Sequence, residues 1–243
     1  MASGAGVGLL GGLVGLGGAE FRLPLLIGVF GFAALSAVII NKAMSLVVVL
    51  AAIPARLFAV PLAEVAGHWA IVVNLLIGSL AGAWVGAAWA SRMRTTNLYR
   101  VLAVLLFAIA VVFAASHWGV MPQLDLDGVG LFLLGVAAGF GIGVVAAVMG
   151  VAGGELLIPT ITVLYGVDVK LAGSLALLVS LPTMLVAFLR YSRTQAFGIL
   201  SEVPAFVIAT ADAPVGPPLK APVNVNGIVA FEALPPVTVN VGP

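Results

Sequence analysis

Two acidic residues, Glu20 and Glu155, lie inside apolar, glycine-rich stretches of the sequence. A charge near the centre of a bilayer costs about 2.5–3.5 kcal/mol on insertion-based scales, so such a residue usually has a function or a partner. Either carboxyl could carry a coupling proton. Alternatively, each could cap the N-terminus of the helix that follows, where a negative charge is favourable. The residues that could contact a substrate beside these acids are Gly17, Gly18, Gly153, Gly154, Ser45 and Ser180.

Two basic residues, Arg22 and Lys42, fall in or near the apolar region around Glu20. They could attract an anion or balance the acid, or their long side chains could extend to the membrane interface. Serine in a membrane helix more often bonds the backbone or a neighbouring helix than a ligand. Other groups that could donate a hydrogen bond to an oxyanion are those of Ser174 and Asn41.

The surroundings of the two acids are copies of each other. Residues 15–24 recur as residues 150–159 in one ungapped register, so that Glu20 falls on Glu155 and proline falls on proline. Coincidence of acid, proline and several glycines is stronger than any single glycine match. Internal duplication is typical of secondary transporters, whose substrate site lies between the repeats near the bilayer midplane.

Each copy has a glycine pair, then an acid, then a proline, and this order predicts a broken helix. The first helix would break near residues 17–18 and restart near Pro24, because proline suits the first turn of a helix. The second would break near residues 153–154 and restart near Pro159. The restarted half would present free backbone N–H groups and a positive dipole end, which favours binding of an anion.

The composition places these segments in lipid. Of 243 residues, 63% are hydrophobic and 8% are charged, and the mean hydropathy is +1.26. A soluble domain has about a quarter charged residues, and only helices or closed barrels span a bilayer. The sequence therefore predicts an all-α polytopic membrane protein, located in the cell membrane. Its apolar blocks are 4–32, 36–60, 68–90, 98–115, 129–165 and 171–189.

The remaining counts favour transport over other function classes. A net charge of +1 gives no field for nucleic acid, and without cysteine and with two histidines a conventional metal cluster is not expected. An intramembrane hydrolase would need a base for its nucleophile or metal ligands. We therefore expect no enzyme activity and no cofactor. The expected partners are a small anion and the lipid bilayer, with a homo-oligomer left open.

Basic residues give the predicted orientation. If every block spans the membrane, the basic residues divide almost evenly between the two sides. If the first and fifth blocks instead return to the side that they entered, most arginine and lysine residues fall on one side, as is typical of cytoplasmic loops. Each repeat then has three crossings, and the repeats are inverted. In this arrangement one side collects Arg92, Arg94, Arg100, Arg190 and Arg193, opposite Arg56 and Lys170.

The last 45 residues differ in character, since 199–243 hold eight of the 14 prolines. Proline inside a helix costs about 3 kcal/mol, so this segment is predicted to be a non-membrane tail, disordered or extended. The predicted organisation is a first membrane repeat at 1–127, a partial second repeat at 128–198 and the tail.

Four sequence segments resemble the TauE/SafE family of sulfite and organosulfonate exporters. They are 150–159 and 170–182 in the second copy, and 16–24 and 41–45 in the first copy. The likeness covers roughly residues 4–197. It implies two related halves with about eight membrane segments, and a permease for small sulfur-containing anions. Two further helices would be expected after Gly198, where this chain has the proline-rich tail. The resemblance therefore leaves two functions open, an anion permease or a truncated, transport-inactive relative.

Overall fold

The computed structural model describes residues 19–59, 62–117 and 128–202, and the regular structure in these ranges is helical throughout. This confirms the all-α class for the described residues. The helices are α1 (Ala19–Gly28), α2 (Ala34–Ala59), α3 (Leu62–Gly67), α4 (Trp69–Arg92), α5 (Thr95–His117), α6 (Gly128–Met149), α7 (Gly154–Tyr165), α8 (Val169–Tyr191), a short 3-10 helix (Gln195–Gly198) and α9 (Ile199–Glu202).

Three of the described helices, α4, α6 and α8, are long and apolar enough to cross a membrane. At 22 to 24 residues each, they extend about 33–36 Å, which matches the hydrocarbon thickness of a bilayer. Helix α7 is apolar but has 12 residues, or about 18 Å, which is too short to cross alone. The fifth predicted block therefore consists of one long helix followed by one short helix.

Helices α4 and α6 pack in parallel through their glycines. A Cβ on any of three α4 glycines would collide with the α6 backbone. Each successive glycine faces an α6 residue four positions further along the chain. Small residues at this spacing let two helix backbones approach closely in a membrane. The facing pairs are Gly78 with Val136, Gly82 with Phe140 and Gly86 with Val144.

Helix α7 runs back along α6. Gly153, just before α7, lies against Ile142 and Ala146 of α6, whereas Tyr165 at the other end of α7 lies against Gly135. The two helices are therefore antiparallel and form a hairpin that turns between residues 149 and 154. This is the form expected of a segment that returns to the side it entered. Re-entry into a bilayer stays a prediction.

Helix α8 ends beside the end of α6, because the Tyr191 hydroxyl donates a hydrogen bond of 3.0 Å to the Ala147 carbonyl. The arginines that follow also reach α4. The guanidinium carbons of Arg190 and Arg193 lie 5.1 Å and 5.7 Å from the ring centroid of Trp84. The C-terminal ends of α4, α6 and α8 consequently lie on one side of the molecule.

The prolines do not begin the short helices, contrary to the prediction. Helix α7 begins at Gly154, and Pro159 lies inside it; Pro24 lies inside α1 in the same way. Left-handed Gly153 allows the chain to enter α7 five residues earlier than the proline. Proline has no backbone N–H, so Pro24 cannot make the helical hydrogen bond to the Glu20 carbonyl. Pro159 likewise cannot make the bond to the Glu155 carbonyl.

One conformational detail agrees with the predicted duplication. Gly31 follows α1 with a φ of 68°, and Gly166 follows α7 with a φ of 66°. These two glycines occupy the same place in the two copies, and both adopt the left-handed region that glycine tolerates best. The duplication itself remains a prediction from the sequence.

We expect Gly82→Ala to lower the thermal stability of the purified protein. The new Cβ would overlap the Phe140 carbonyl, and overpacking of this kind costs about 1–3 kcal/mol. Gly141→Ala is the matched control, because Gly141 lies on α6 with no atom within 4 Å of its Cβ position. Thermal unfolding in detergent tests this expectation, and equal stability of the two variants would contradict the close packing of α4 on α6.

Candidate functional site

The break between α6 and α7 is the centre of the site. The chain leaves helical conformation after Met149 and resumes it at Gly154, with Gly150 at a φ of 72° and Gly153 at 79°. This confirms the predicted interruption at the second glycine pair and extends it back to Gly150. The first predicted pair, Gly17 and Gly18, lies outside the described residues.

The break lies in the protein interior. The last turn of α6 is buried from Ala146 to Met149, and the connector residues Gly150, Val151 and Gly153 are buried too. Helix α2 passes so close that a Cβ on Gly150 would meet the Val38 carbonyl. Glycine is thus required at residue 150 both by its left-handed conformation and by this close approach.

A buried helix end leaves backbone carbonyls that need donors. The connector amides of Val151 and Gly150 donate to the Ala146 and Ala147 carbonyls, both at 3.2 Å. Lys42 of α2 adds further donors: its Nζ donates to the Ala146 carbonyl at 2.7 Å and to the Val151 carbonyl of the connector at 2.6 Å. Its side chain is fully buried, with 0% exposed. The alternative that Lys42 and Arg22 extend to the interface is wrong, since both are buried against polar partners inside the protein.

Asn41 and Tyr191 cap the same helix end. The Asn41 amide nitrogen donates to the carbonyls of Met149 and Ala19, both at 3.2 Å, and the Tyr191 hydroxyl donates to Ala147. The Asn41 amide expected to bind an oxyanion is therefore engaged by backbone. Tyr191 lies just beyond the sixth apolar block, 171–189, yet it is the last residue of α8 and is completely buried.

The structure brings the two predicted acids together. Glu20 lies in the first turn of α1 and Glu155 in the first turn of α7, and their carboxyl groups are close enough to interact electrostatically. Both oxygens of Glu20 and Oε2 of Glu155 are buried without a hydrogen-bond partner. Ionised carboxylates only accept hydrogen bonds, so a bond between them requires a proton on one.

Two cations surround this acid pair. Arg22 interacts electrostatically with both carboxyl groups, and Lys42 interacts with Glu155. The Arg22 guanidinium also donates a hydrogen bond of 3.0 Å to the Ser45 hydroxyl, so Ser45 joins the cluster through its arginine. Two acids and two cations thus meet in one buried volume, which we call the central cluster: Glu20, Arg22, Lys42, Ser45 and Glu155.

The other predicted site residues have different surroundings. Ser180 is buried on α8, and its hydroxyl, like that of Ser174, has no hydrogen-bond partner. Ser180 is therefore not bonded to the central cluster. Gly154 has no atom within 4 Å of its Cβ position, so the first turn of α7 next to Glu155 borders open space. Gly153 instead packs against α6.

Comparison with known proteins identifies the family. The family described as "Sulfite exporter TauE/SafE" matches residues 1–228, which is most of the chain. The chain belongs to the TauE/SafE family. No curated protein and no solved structure matches it.

TauE/SafE proteins are membrane transporters of sulfite and related sulfur-containing anions, so the central cluster belongs to a membrane transporter. The family match also corrects the extent expected from the sequence. It extends through residue 228, whereas the resemblance in the sequence covers roughly residues 4–197. The tail at 199–243 stays a prediction. The structure of that segment lies outside the described residues beyond 202.

The burial of Tyr191 was not predicted for this TauE/SafE chain, because Tyr191 lies between Arg190 and Arg193 and beyond the sixth apolar block. A tyrosine placed after a long apolar helix could have indicated a buried hydroxyl that needs a partner. The capping role of Asn41 and Lys42 was missed for a different reason. Their partners are backbone carbonyls more than 100 positions away in sequence, which no residue pattern reveals.

We expect Gly150→Ala to destabilise this protein more than Gly166→Ala. Both positions have a positive φ, which costs a residue with a Cβ about 1–2 kcal/mol, but the Cβ at Gly150 would also meet the Val38 backbone. Gly166 has open space around it, so it isolates the cost of the backbone conformation. Thermal unfolding of the two purified variants measures the difference, and equal losses would argue against the tight contact between α2 and the break.

Proposed function

We propose that this protein is a secondary transporter that moves small anions such as sulfite or organosulfonates across the cell membrane, coupled to protons through Glu20 and Glu155. The central cluster is the proposed substrate and proton site. The observation that carries the proposal is a pair of carboxyl groups, that of buried Glu20 and that of half-buried Glu155 with its Oε2 shielded, beside the two buried cations Arg22 and Lys42.

The charges of the cluster support proton coupling. With Glu20 and Glu155 ionised, the acids and the cations Arg22 and Lys42 balance. One proton shared by the acids leaves the cluster with a net positive charge, and an anion then restores neutrality. Such an arrangement favours the simultaneous presence of one proton and one monovalent anion, since an uncompensated charge in a low-dielectric site is expensive.

The positive end of α7 supports an anion site. The N-terminal turn of a helix presents backbone N–H groups and a positive dipole end, and the first turn of α7 borders open space at Gly154. Binding in that space would place an anion beside Glu155 and within reach of Arg22. We propose that Gly153, Gly154 and the Arg22–Ser45 pair line the anion site. Ser180 is proposed as a further contact of the anion, since its buried hydroxyl has no hydrogen-bond partner.

The basic residues support a multi-pass arrangement with the C-terminal ends of α4, α6 and α8 toward the cytoplasm. Arg190 and Arg193 lie at that end against Trp84, and α4 itself ends at Arg92. Cytoplasmic ends of membrane helices are enriched in arginine and lysine. The α6–α7 hairpin is then proposed to enter from the opposite, non-cytoplasmic side and to return to it.

The test is flux of sulfite in proteoliposomes, with and without a pH gradient. We expect the gradient to accelerate sulfite flux through the unaltered protein. Glu20→Gln and Glu155→Gln should each remove this acceleration, because glutamine keeps the shape of the side chain but cannot carry a proton. Retention of the full acceleration in both variants would exclude these acids as proton carriers.

Asp168→Asn is the matched control for that experiment. Asp168 is an exposed acid that caps α8 by accepting a hydrogen bond from the Lys170 amide at 2.9 Å, and an asparagine oxygen can make the same bond. Its flux and its response to the gradient should equal those of the unaltered protein. Absence of flux in the folded, unaltered protein would instead support the alternative of a transport-inactive relative.

A further inference from the structure

We infer that the Lys42 ammonium occupies the cation site of the broken helix, so that this transporter carries its own cation there and needs no bound metal ion for transport. The juxtaposition that carries the inference is the Lys42 Nζ between two backbone carbonyls at the break between α6 and α7. The consequence for coupling rests on the proposed function, whereas the consequence for stability does not.

The geometry is that of a cation held by backbone oxygens. The Nζ lies 2.7 Å from the Ala146 carbonyl in the last turn of α6 and 2.6 Å from the Val151 carbonyl in the connector. In transporters with discontinuous helices, unwound carbonyls and the C-terminal ends of half-helices coordinate the coupling cation. In this chain the corresponding oxygens are already bonded to the lysine.

The electrostatic surroundings favour a positive charge at this point. The C-terminal end of α6 has the negative end of its helix dipole there, and Glu155 across the break interacts with Lys42. Lysine side chains are fully buried almost only when they are paired, and Lys42 has 0% exposure. The two carbonyls and the nearby acid provide that compensation.

The contact of α2 with the break makes the position specific. Gly150 lies against the backbone of α2, so that the position of a Cβ on Gly150 would be 3.3 Å from the Lys42 amide nitrogen. Helix α2 is therefore fixed against the break by its backbone as well as by the ammonium. The two direct bonds to backbone carbonyls distinguish Lys42 from a basic side chain that merely balances charge.

The first experiment is thermal unfolding of the purified full chain in choline, sodium or methylammonium chloride at equal ionic strength. The unaltered protein should have the same Tm in all three salts. Lys42→Ala should lose about 10 °C in choline, because it leaves buried carbonyls and an acid without their cation. Sodium and methylammonium should restore part of that loss with a saturable dependence on concentration, since either ion fits the vacated space.

Two variants serve as controls. Lys42→Met fills the space without a charge, so it should lose stability and gain nothing from sodium or methylammonium. Tyr191→Phe removes a neutral donor to the Ala147 carbonyl at the same helix end, so its smaller loss should also be independent of the salt. Equal Tm values of Lys42→Ala in all three salts would overturn the assignment of a cation site.

The second experiment keeps the inference testable if Lys42→Ala does not fold. Sulfite flux through the unaltered protein in proteoliposomes should be unchanged when choline replaces sodium on both sides. A flux that requires sodium would overturn the inference while leaving the transport function intact. Absence of flux in both salts would contradict the proposed function. The Tm of the unaltered protein would then test the inference: equal values in sodium and choline support it, and a higher Tm in sodium would overturn it.

Discussion

The buried C-terminal end of α6 is the constraint on which the rest of the structure depends. A helix that stops inside a protein leaves carbonyl oxygens without partners, and neither lipid nor an apolar interior can supply donors. Two connector amides bond two of these oxygens, and three residues from two other helices supply further donors: Asn41 and Lys42 of α2, and Tyr191 at the end of α8. Distant parts of the chain are thereby joined at the break by polar contacts rather than by apolar packing alone.

The same break provides two helix ends of opposite polarity within one small volume. Lys42 lies at the negative end of α6, and Glu155 lies at the positive end of α7. Each charged residue therefore has a local electrostatic reason to be where it is. Glu20 and Arg22, which come from α1, add a second charge of each sign. A site built in this way can change its net charge by one proton without exposing the cluster to water, which is the physical basis of the proposed coupling.

Much of this arrangement was predictable from residue order. The glycine pair directly before Glu155 predicted a break with an acid at its edge, and glycines at four-residue spacing such as Gly78 and Gly82 are suited to close packing of α4 on α6. The predictions from the sequence were wrong where one residue type can have two structural roles. Proline can begin a helix or lie within one, and at Pro159 the left-handed Gly153 had already started the helix. A buried lysine and an interfacial lysine have the same sequence surroundings.

Sequence alone determined that the chain is helical and lies in a membrane, because the scarcity of charged residues leaves no other solvent for it. It also determined that two acids stand in duplicated surroundings. The tertiary structure decided that these acids meet, that Lys42 bonds the end of α6, and that Tyr191 is buried. These facts depend on which helices pack together, since a backbone carbonyl carries no residue identity and its partner can come from any part of the chain.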